Sequence, residues 1–230
     1  MMVLLKKLKY NLLSNFEKGF TMVRACRAYV PGGVYHITQR CHKKEFLLQY
    51  KKDRDRYRSW LYQAKTRFNL IILNYMITSN HIHLLIKDNN PYTLSKGMAL
   101  VAGCMGREYN RHNNRRGAFW EDRYQLSLIE EEEYLFRCFI YIDLNMVRAK
   151  EVEHPIEWQH CGYHDIYSNR SRYHILNYKE IVSTLGYSSL NDFKLHHQKL
   201  VQSALDVDKL IREPLWTENK IIGHDLLKKP

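Results

Sequence analysis

Residues 79–86 read SNHIHLLI, and this stretch decides the fold. Successive side chains of an extended strand point to opposite faces. His81 and His83 therefore share one face, and Ile82 takes the other. Leu84, Leu85 and Ile86 carry the strand into an apolar core. Just upstream, residues 70–77 (LIILNYMI) form a second β-type run, and Thr78-Ser79-Asn80 between them has turn chemistry. The two runs predict a β-hairpin. Two imidazoles on one face have two readings: a polar hairpin edge, or a pair that chelates a divalent metal. A metal site needs rigid ligands, which an apolar strand supplies.

Working outward, Val34 to Gln39 alternates in strand fashion after the turn Pro31-Gly32-Gly33. Asp53 to Phe68 predicts a helix, because Tyr57, Trp60, Leu61 and Ala64 recur at helical spacing. Pro91 and Thr93 open a long helix running to about Tyr109, and Arg111 to Arg116 is a basic loop. Tyr124 to Ile129 is a short strand. The acidic run Glu130 to Glu133 suits a helix N-terminus, and the helix it opens carries Tyr134, Cys138, Tyr141 and Asn145. The order strand, helix, strand, strand, helix, strand, helix predicts an α+β fold: a ferredoxin-like antiparallel sheet with helices on one face. Beyond it, residues 151–175 are irregular and rich in His, Tyr and Trp. Residues 176–205 read as two helices broken at Gly186 to Ser189. The expected organisation is an N-terminal extension (1–21), a core domain (22–165) and a C-terminal helical extension (166–230).

The chain has 230 residues, a formal net charge of +12 and a pI of about 9.4. A charge excess of this size calls for a polyanionic partner or an anionic membrane surface. The five cysteines are scattered, with no C-x-x-C pair, which argues against a zinc ribbon and a disulfide framework. No apolar run approaches the roughly 20 residues of a membrane helix. The N-terminus is apolar first and basic second, the reverse of a secretory signal. A cytoplasmic, nucleoid-bound protein is expected, with no membrane partner.

Tyr141 and Asn145 stand four residues apart on the last helix and so share a face. An Asn carbonyl oxygen is a hard ligand suited to Mg²⁺ or Mn²⁺. A phenol becomes a nucleophile once deprotonated. The same pair also reads as a buried Tyr and a surface Asn on an amphipathic helix. Arg111, Arg115 and Arg116 lie just before Phe119 and Trp120, with Arg123 beyond, and basic residues interleaved with aromatics suit unpaired nucleic acid. Lys43, Lys44, Lys51 and Lys52 form a second basic patch. Arg148 reads as a phosphate contact or a helix cap. His36, His42, His112, His154, His160, His164, His196 and His197 read mostly as ordinary surface or core residues.

Four stretches in order resemble the HUH superfamily of DNA-nicking enzymes, and within it the single-tyrosine, IS200-like transposases associated with repetitive extragenic palindromes. They are RAYVPGGVYHITQR (27–40), SNHIHLLI (79–86), GAFWEDRY (117–124) and YLFRCFIYIDLNMVRA (134–149). The resemblance covers about residues 22–165. It implies the HUH nuclease fold, with His81 and His83 as metal ligands, Asn145 as the third protein ligand and Tyr141 as nucleophile. Tyr134, seven residues earlier, is the rival; Tyr141 fits the Y-I-x-x-N pattern. The implied activity is cleavage and rejoining of single-stranded DNA beside a hairpin, through a 5′-phosphotyrosine link and with Mg²⁺ or Mn²⁺. The implied partner is hairpin DNA, and the enzyme is a monomer or homodimer. Two departures stand out: Cys41-His42-Lys43-Lys44 where relatives show Gly-Asn, and Met146 where proline is common. Rival readings are an HUH replication initiator or relaxase, a silent hairpin-binding protein, and a metal-dependent hydrolase using water.

Overall fold

The computed structural model describes residues 30–88, 90–168, 172–206, 216 and 221–222. The expected extension 1–21, and residues 27–29 of the expected opening strand, lie outside them. The elements in chain order are β1 (Gly33–Arg40), α1 (Lys51–Phe68), β2 (Ile71–Ile77), β3 (His81–Asp88), α2 (Pro91–His112), β4 (Gln125–Ile129), α3 (Glu132–Asp143), α4 (Asn145–Arg148), α5 (Gly162–Tyr167), α6 (Tyr178–Thr184), α7 (Leu190–Asp206) and β5 (Ile221–Ile222). The sheet order is β2-β3-β1-β4-β5. The β2–β3 hairpin forms as its sequence requires.

The fold is α+β, and two details differ from expectation. The first concerns the sheet. Strands β1 to β4 pair antiparallel, but β5 adds in parallel to β4, so the sheet is mixed. A two-residue strand carries no readable periodicity, which is why the tail gave no sign of it. The second concerns the helices, which cover both faces. Tyr75 pairs with Leu84, and its ring lies 6.0 Å from the Arg58 guanidinium of α1, so α1 lies on the Leu84 face. The Trp60 indole of α1 donates to Glu108 of α2. Asn74 pairs with Leu85 on the opposite face, and its amide donates to the Phe139 carbonyl and Asp143 carboxylate of α3. Ile82, Leu84 and Ile86 are fully buried on one face, and Leu85 and His83 on the other. Strands buried on both faces read as near-continuous apolar runs, as residues 82–86 do.

Asn74 reaches α3 because β2 carries a bulge between Ile72 and Asn74. Bulges re-aim side chains and bend a strand. The outer edge of β2 is closed by later residues. Ile77 N donates to the His160 carbonyl, and Asn177 brackets Ile72 with one backbone and one side-chain bond. This covering removes the pairing liability of an edge strand. The boundary expected at 165/166 falls inside α5.

Gly162 lies hard against the bulge. A Cβ there would sit 2.0 Å from Asn74 Oδ1 and 3.3 Å from the Tyr75 backbone nitrogen. Asn74 cannot yield, because Oδ1 accepts from Tyr75 N while Nδ2 holds α3. Gly162→Ala is therefore expected to lower unfolding stability by about 1–3 kcal/mol, the usual range for overpacking. An unchanged urea midpoint would contradict this packing.

Candidate active site

The β1–β3 register sets Thr38 opposite His83 and Arg40 opposite His81. His36, Thr38, Arg40, His81 and His83 thus line one face. Helix α3 crosses that face and places the Tyr141 ring 6.0 Å from His83 and 6.4 Å from His36, edge-on to both. A cleft of about 640 Å³ opens here, lined among others by Arg40, Lys44, Asn80, both histidines of the pair, Arg123, Tyr141, Asn145 and Arg148. Tyr134 is not among its lining residues; it is buried elsewhere on α3, beneath the Arg137 guanidinium.

Helix α3 ends at Asp143, and Asn145 opens the separate turn α4 after a break at Leu144. The single helix expected through Asn145 is thus interrupted. The side chain still reaches the site: Asn145 Nδ2 lies 3.1 Å from His83 Nε2. His83 Nδ1 lies 2.9 Å from His36 Nε2, and His36 Nδ1 lies 2.9 Å from the Trp216 carbonyl oxygen. His81 Nδ1 meets Asn80 Oδ1 at 2.7 Å and Thr78 Oγ1 at 2.9 Å. An Nδ1 proton donated to Asn80 leaves the lone pair of His81 on Nε2. Partners of this kind fix the tautomer and orientation of metal-binding imidazoles.

Burial lowers the pKa of His36 to about 4, against the small opposing effect of its Trp216 contact. His83 is held well below the usual imidazole range, first by burial, then by His81, His36, Arg148 and Arg40. Both rings are neutral at neutral pH, the form that binds a metal. Among the described residues no group of three His, Cys, Asp or Glu side chains could hold an ion. The His81 and His83 imidazoles and the Asn145 amide do offer three donors. That mixed nitrogen and oxygen set, with room in the cleft for further oxygen ligands, fits a divalent ion such as Mg²⁺ or Mn²⁺.

Tyr141 is 6% exposed. The Arg148 guanidinium stacks 3.9 Å from its ring centroid and donates to the Tyr141 carbonyl oxygen at 2.6 Å. Trp216 packs against the same ring at 5.6 Å. Arg148 thus combines the two roles left open by its sequence, capping the helix end while lining the cleft.

The basic candidates divide. Lys44 and Arg123 line the cleft, and Lys43 and Lys44 both adopt positive φ in the loop after β1. Arg111 and Arg116 are exposed and are not among the cleft-lining residues. Arg115 pairs with Glu45 and the Ala118 carbonyl. Trp120 is taken up by packing: its indole donates to Ala102 O and its ring meets Tyr57 and Phe119. Sequence reading passed over His36, Arg40, Asn80 and Trp216. The first two occupy alternate positions of β1, so period-2 alternation would have found them once β1 was paired with β3. Asn80 was read only as a turn residue. Nothing in the tail signalled Trp216.

A family model described as IS200-like transposase matches residues 29–144, just over half of the chain. The chain belongs to the IS200-like transposase family. Among solved structures, a REP-associated tyrosine transposase bound to a REP hairpin shares 15% identity and a TM-score of 0.51, covering 68% of this chain and 94% of that one. At that identity the likeness shows a shared fold. A Deinococcus radiodurans R1 protein assigned as a transposase shares 16% identity and a TM-score of 0.36, covering 49% of this chain and 91% of that one. No curated protein matches the chain. No helix among the described residues is long and apolar enough to cross a membrane.

Burial of neutral His36 sets a pH dependence. The unfolded chain binds a proton near pH 6.5, whereas the folded chain resists until about pH 4. Stability is therefore lost as pH falls through that window, by up to about 3 kcal/mol from His36. His160, also lowered by burial to about 4, acts in the same direction. Asp53 and Asp88, raised by burial, oppose both. The informative quantity is thus the difference between variants. His36→Gln should lose less stability than wild type between pH 7 and pH 4 in urea titrations, and parallel losses would contradict the burial account.

Proposed function

We propose that this IS200-like transposase cleaves and rejoins single-stranded DNA beside a hairpin, with Tyr141 as nucleophile and His81, His83 and Asn145 as ligands of a divalent ion. One observation carries the reading: Tyr141, both histidines and Asn145 converge on one basic cleft, although Asn145 stands 62 residues after His83 in sequence. The structural relative is bound to a REP hairpin, which supports the choice of a hairpin substrate.

In this mechanism the Tyr141 oxygen forms a bond to the scissile phosphorus as the bond to the 3′ oxygen breaks. The phenol gives up a proton and the leaving 3′ oxygen gains one. The phosphate stays linked to the tyrosine, and a second 3′-OH reverses the exchange. Neither water nor ATP is consumed. A bound Mg²⁺ or Mn²⁺ would supply Lewis acidity at the scissile phosphate and orient it. Arg148, stacked on the Tyr141 ring, fixes its orientation and places positive charge over the ring of the nucleophile. Arg40, Lys44 and Arg123 draw the phosphate backbone into the cleft. Arg111, Arg115 and Arg116 extend this contact to DNA outside the cleft, and Lys43 continues the patch begun by Lys44.

A denaturing gel of protein mixed with Mn²⁺ and labelled hairpins carrying single-stranded flanks tests the reading. A covalent band is expected for wild type and Tyr134→Phe but not for Tyr141→Phe. Cleavage with no covalent band in any variant would make water the nucleophile. Hairpin binding without cleavage would favour a silent DNA binder. In this reading Tyr141 and the ligands it works with belong to the same chain. Mixing Tyr141→Phe with His83→Ala protein should therefore restore no activity. Restored cleavage in the mixture would mean a shared site between subunits.

A further inference from the structure

We propose that His36 is a positioning residue for the metal site, fixing the tautomer of His83 through a relay that ends on the backbone carbonyl of Trp216. This rests on the reading of His81, His83 and Asn145 as ligands. A carbonyl oxygen only accepts hydrogen bonds, so His36 Nδ1, 2.9 Å from the Trp216 oxygen, carries a proton. In a neutral ring, Nε2 of His36 is then an acceptor. Its partner at 2.9 Å, His83 Nδ1, must donate to it. The lone pair of His83 is thereby placed on Nε2, the nitrogen that meets the Asn145 amide 3.1 Å away at the cleft. One carbonyl thus decides which nitrogen of His83 is available to an ion.

The surroundings leave the relay little freedom. His36, His83 and Trp216 are each no more than 2% exposed, so water does not compete for the bonds. The two imidazoles lie nearly parallel, 7° apart, with centroids separated by 5.1 Å. The Tyr141 ring stands edge-on to both and packs on Trp216, so the nucleophile and the relay share one packed cluster. The family match ends at residue 144. The anchor of the relay therefore lies in a part of the chain beyond that match, and the tail contributes to the site through its backbone.

The test uses full-length protein labelled with ¹⁵N-histidine. In metal-free wild type, NMR should show His83 in a single tautomer, protonated at Nδ1. Mn²⁺ affinity, measured by calorimetry, should fall about 10–100-fold in His36→Phe, the usual cost of losing such a partner. His36→Gln, whose amide oxygen can accept where Nε2 did, should recover most of that affinity. A wild-type His83 protonated at Nε2 would overturn the relay, whatever the variants do. Wild-type Mn²⁺ affinity in a folded His36→Phe would overturn it too. So would a tenfold or greater loss in His36→Gln, should the Phe variant fail to fold. A wild type that takes up no Mn²⁺ would instead sink the metal reading beneath it, and neither result depends on whether DNA is cleaved.

Discussion

Asp143 is the fixed point of the structure. Its carboxylate is fully buried and accepts from Asn74 Nδ2 at 3.0 Å, with His197 Nε2 at 2.9 Å on its other oxygen. A buried carboxylate is costly unless such partners meet it, so the three side chains hold one another in place. Asn74 belongs to the bulge of β2 and His197 to α7. Asp143 closes α3 two residues after Tyr141 and two before Asn145. The bond to Asn74 therefore clamps the end of the helix that carries Tyr141 onto the sheet, and His197 closes the other side of the carboxylate. His197 extends the clamp to the Tyr167 hydroxyl at 2.9 Å and stacks on Phe193. The C-terminal helices are in this way part of the support of the site.

The electrostatics follow from the same packing. A chain with a net charge of +12 lines its cleft with the neutral His83 imidazole and with the cationic side chains of Arg40, Lys44, Arg123 and Arg148. Burial and the nearby cations both disfavour protonation of His83. The cations that keep it neutral, Arg40 and Arg148, also face the cleft where a phosphate backbone would lie. One arrangement of charge would thus serve a metal ion and DNA together, because the cations that disfavour a proton on the histidine lone pair also attract phosphate.

Much of this was legible in the sequence, for reasons that differ by element. The β2–β3 hairpin, α1, α2, and the α6–α7 break at Gly186 follow from periodicity and turn chemistry, which are local. His81 and His83 share a face because strand alternation guarantees it. Asn145 was found by its four-residue spacing from Tyr141, although the helix breaks between them; the Leu144 break changes the backbone without carrying the side chain away. What was not legible depends on long-range contacts. His36 gains its place only through the register of β1 against β3, and Trp216 only through a tail segment without pattern. Composition also gave no sign of the Arg115–Glu45 ion pair or of the packing around Trp120, because it cannot distinguish a solvated basic loop from a paired one.

The central claim is that Tyr141 is the residue that carries DNA. The chain has 17 tyrosines, and peptide mapping surveys all of them at once. Wild-type protein would be reacted with Mn²⁺ and a flanked hairpin, digested with protease and nuclease, and read by mass spectrometry. The account predicts a nucleotide adduct on the peptide containing Tyr141 and on no other. An adduct on a different tyrosine, Tyr134 included, would contradict the assignment of the nucleophile and with it the catalytic role given to this cleft.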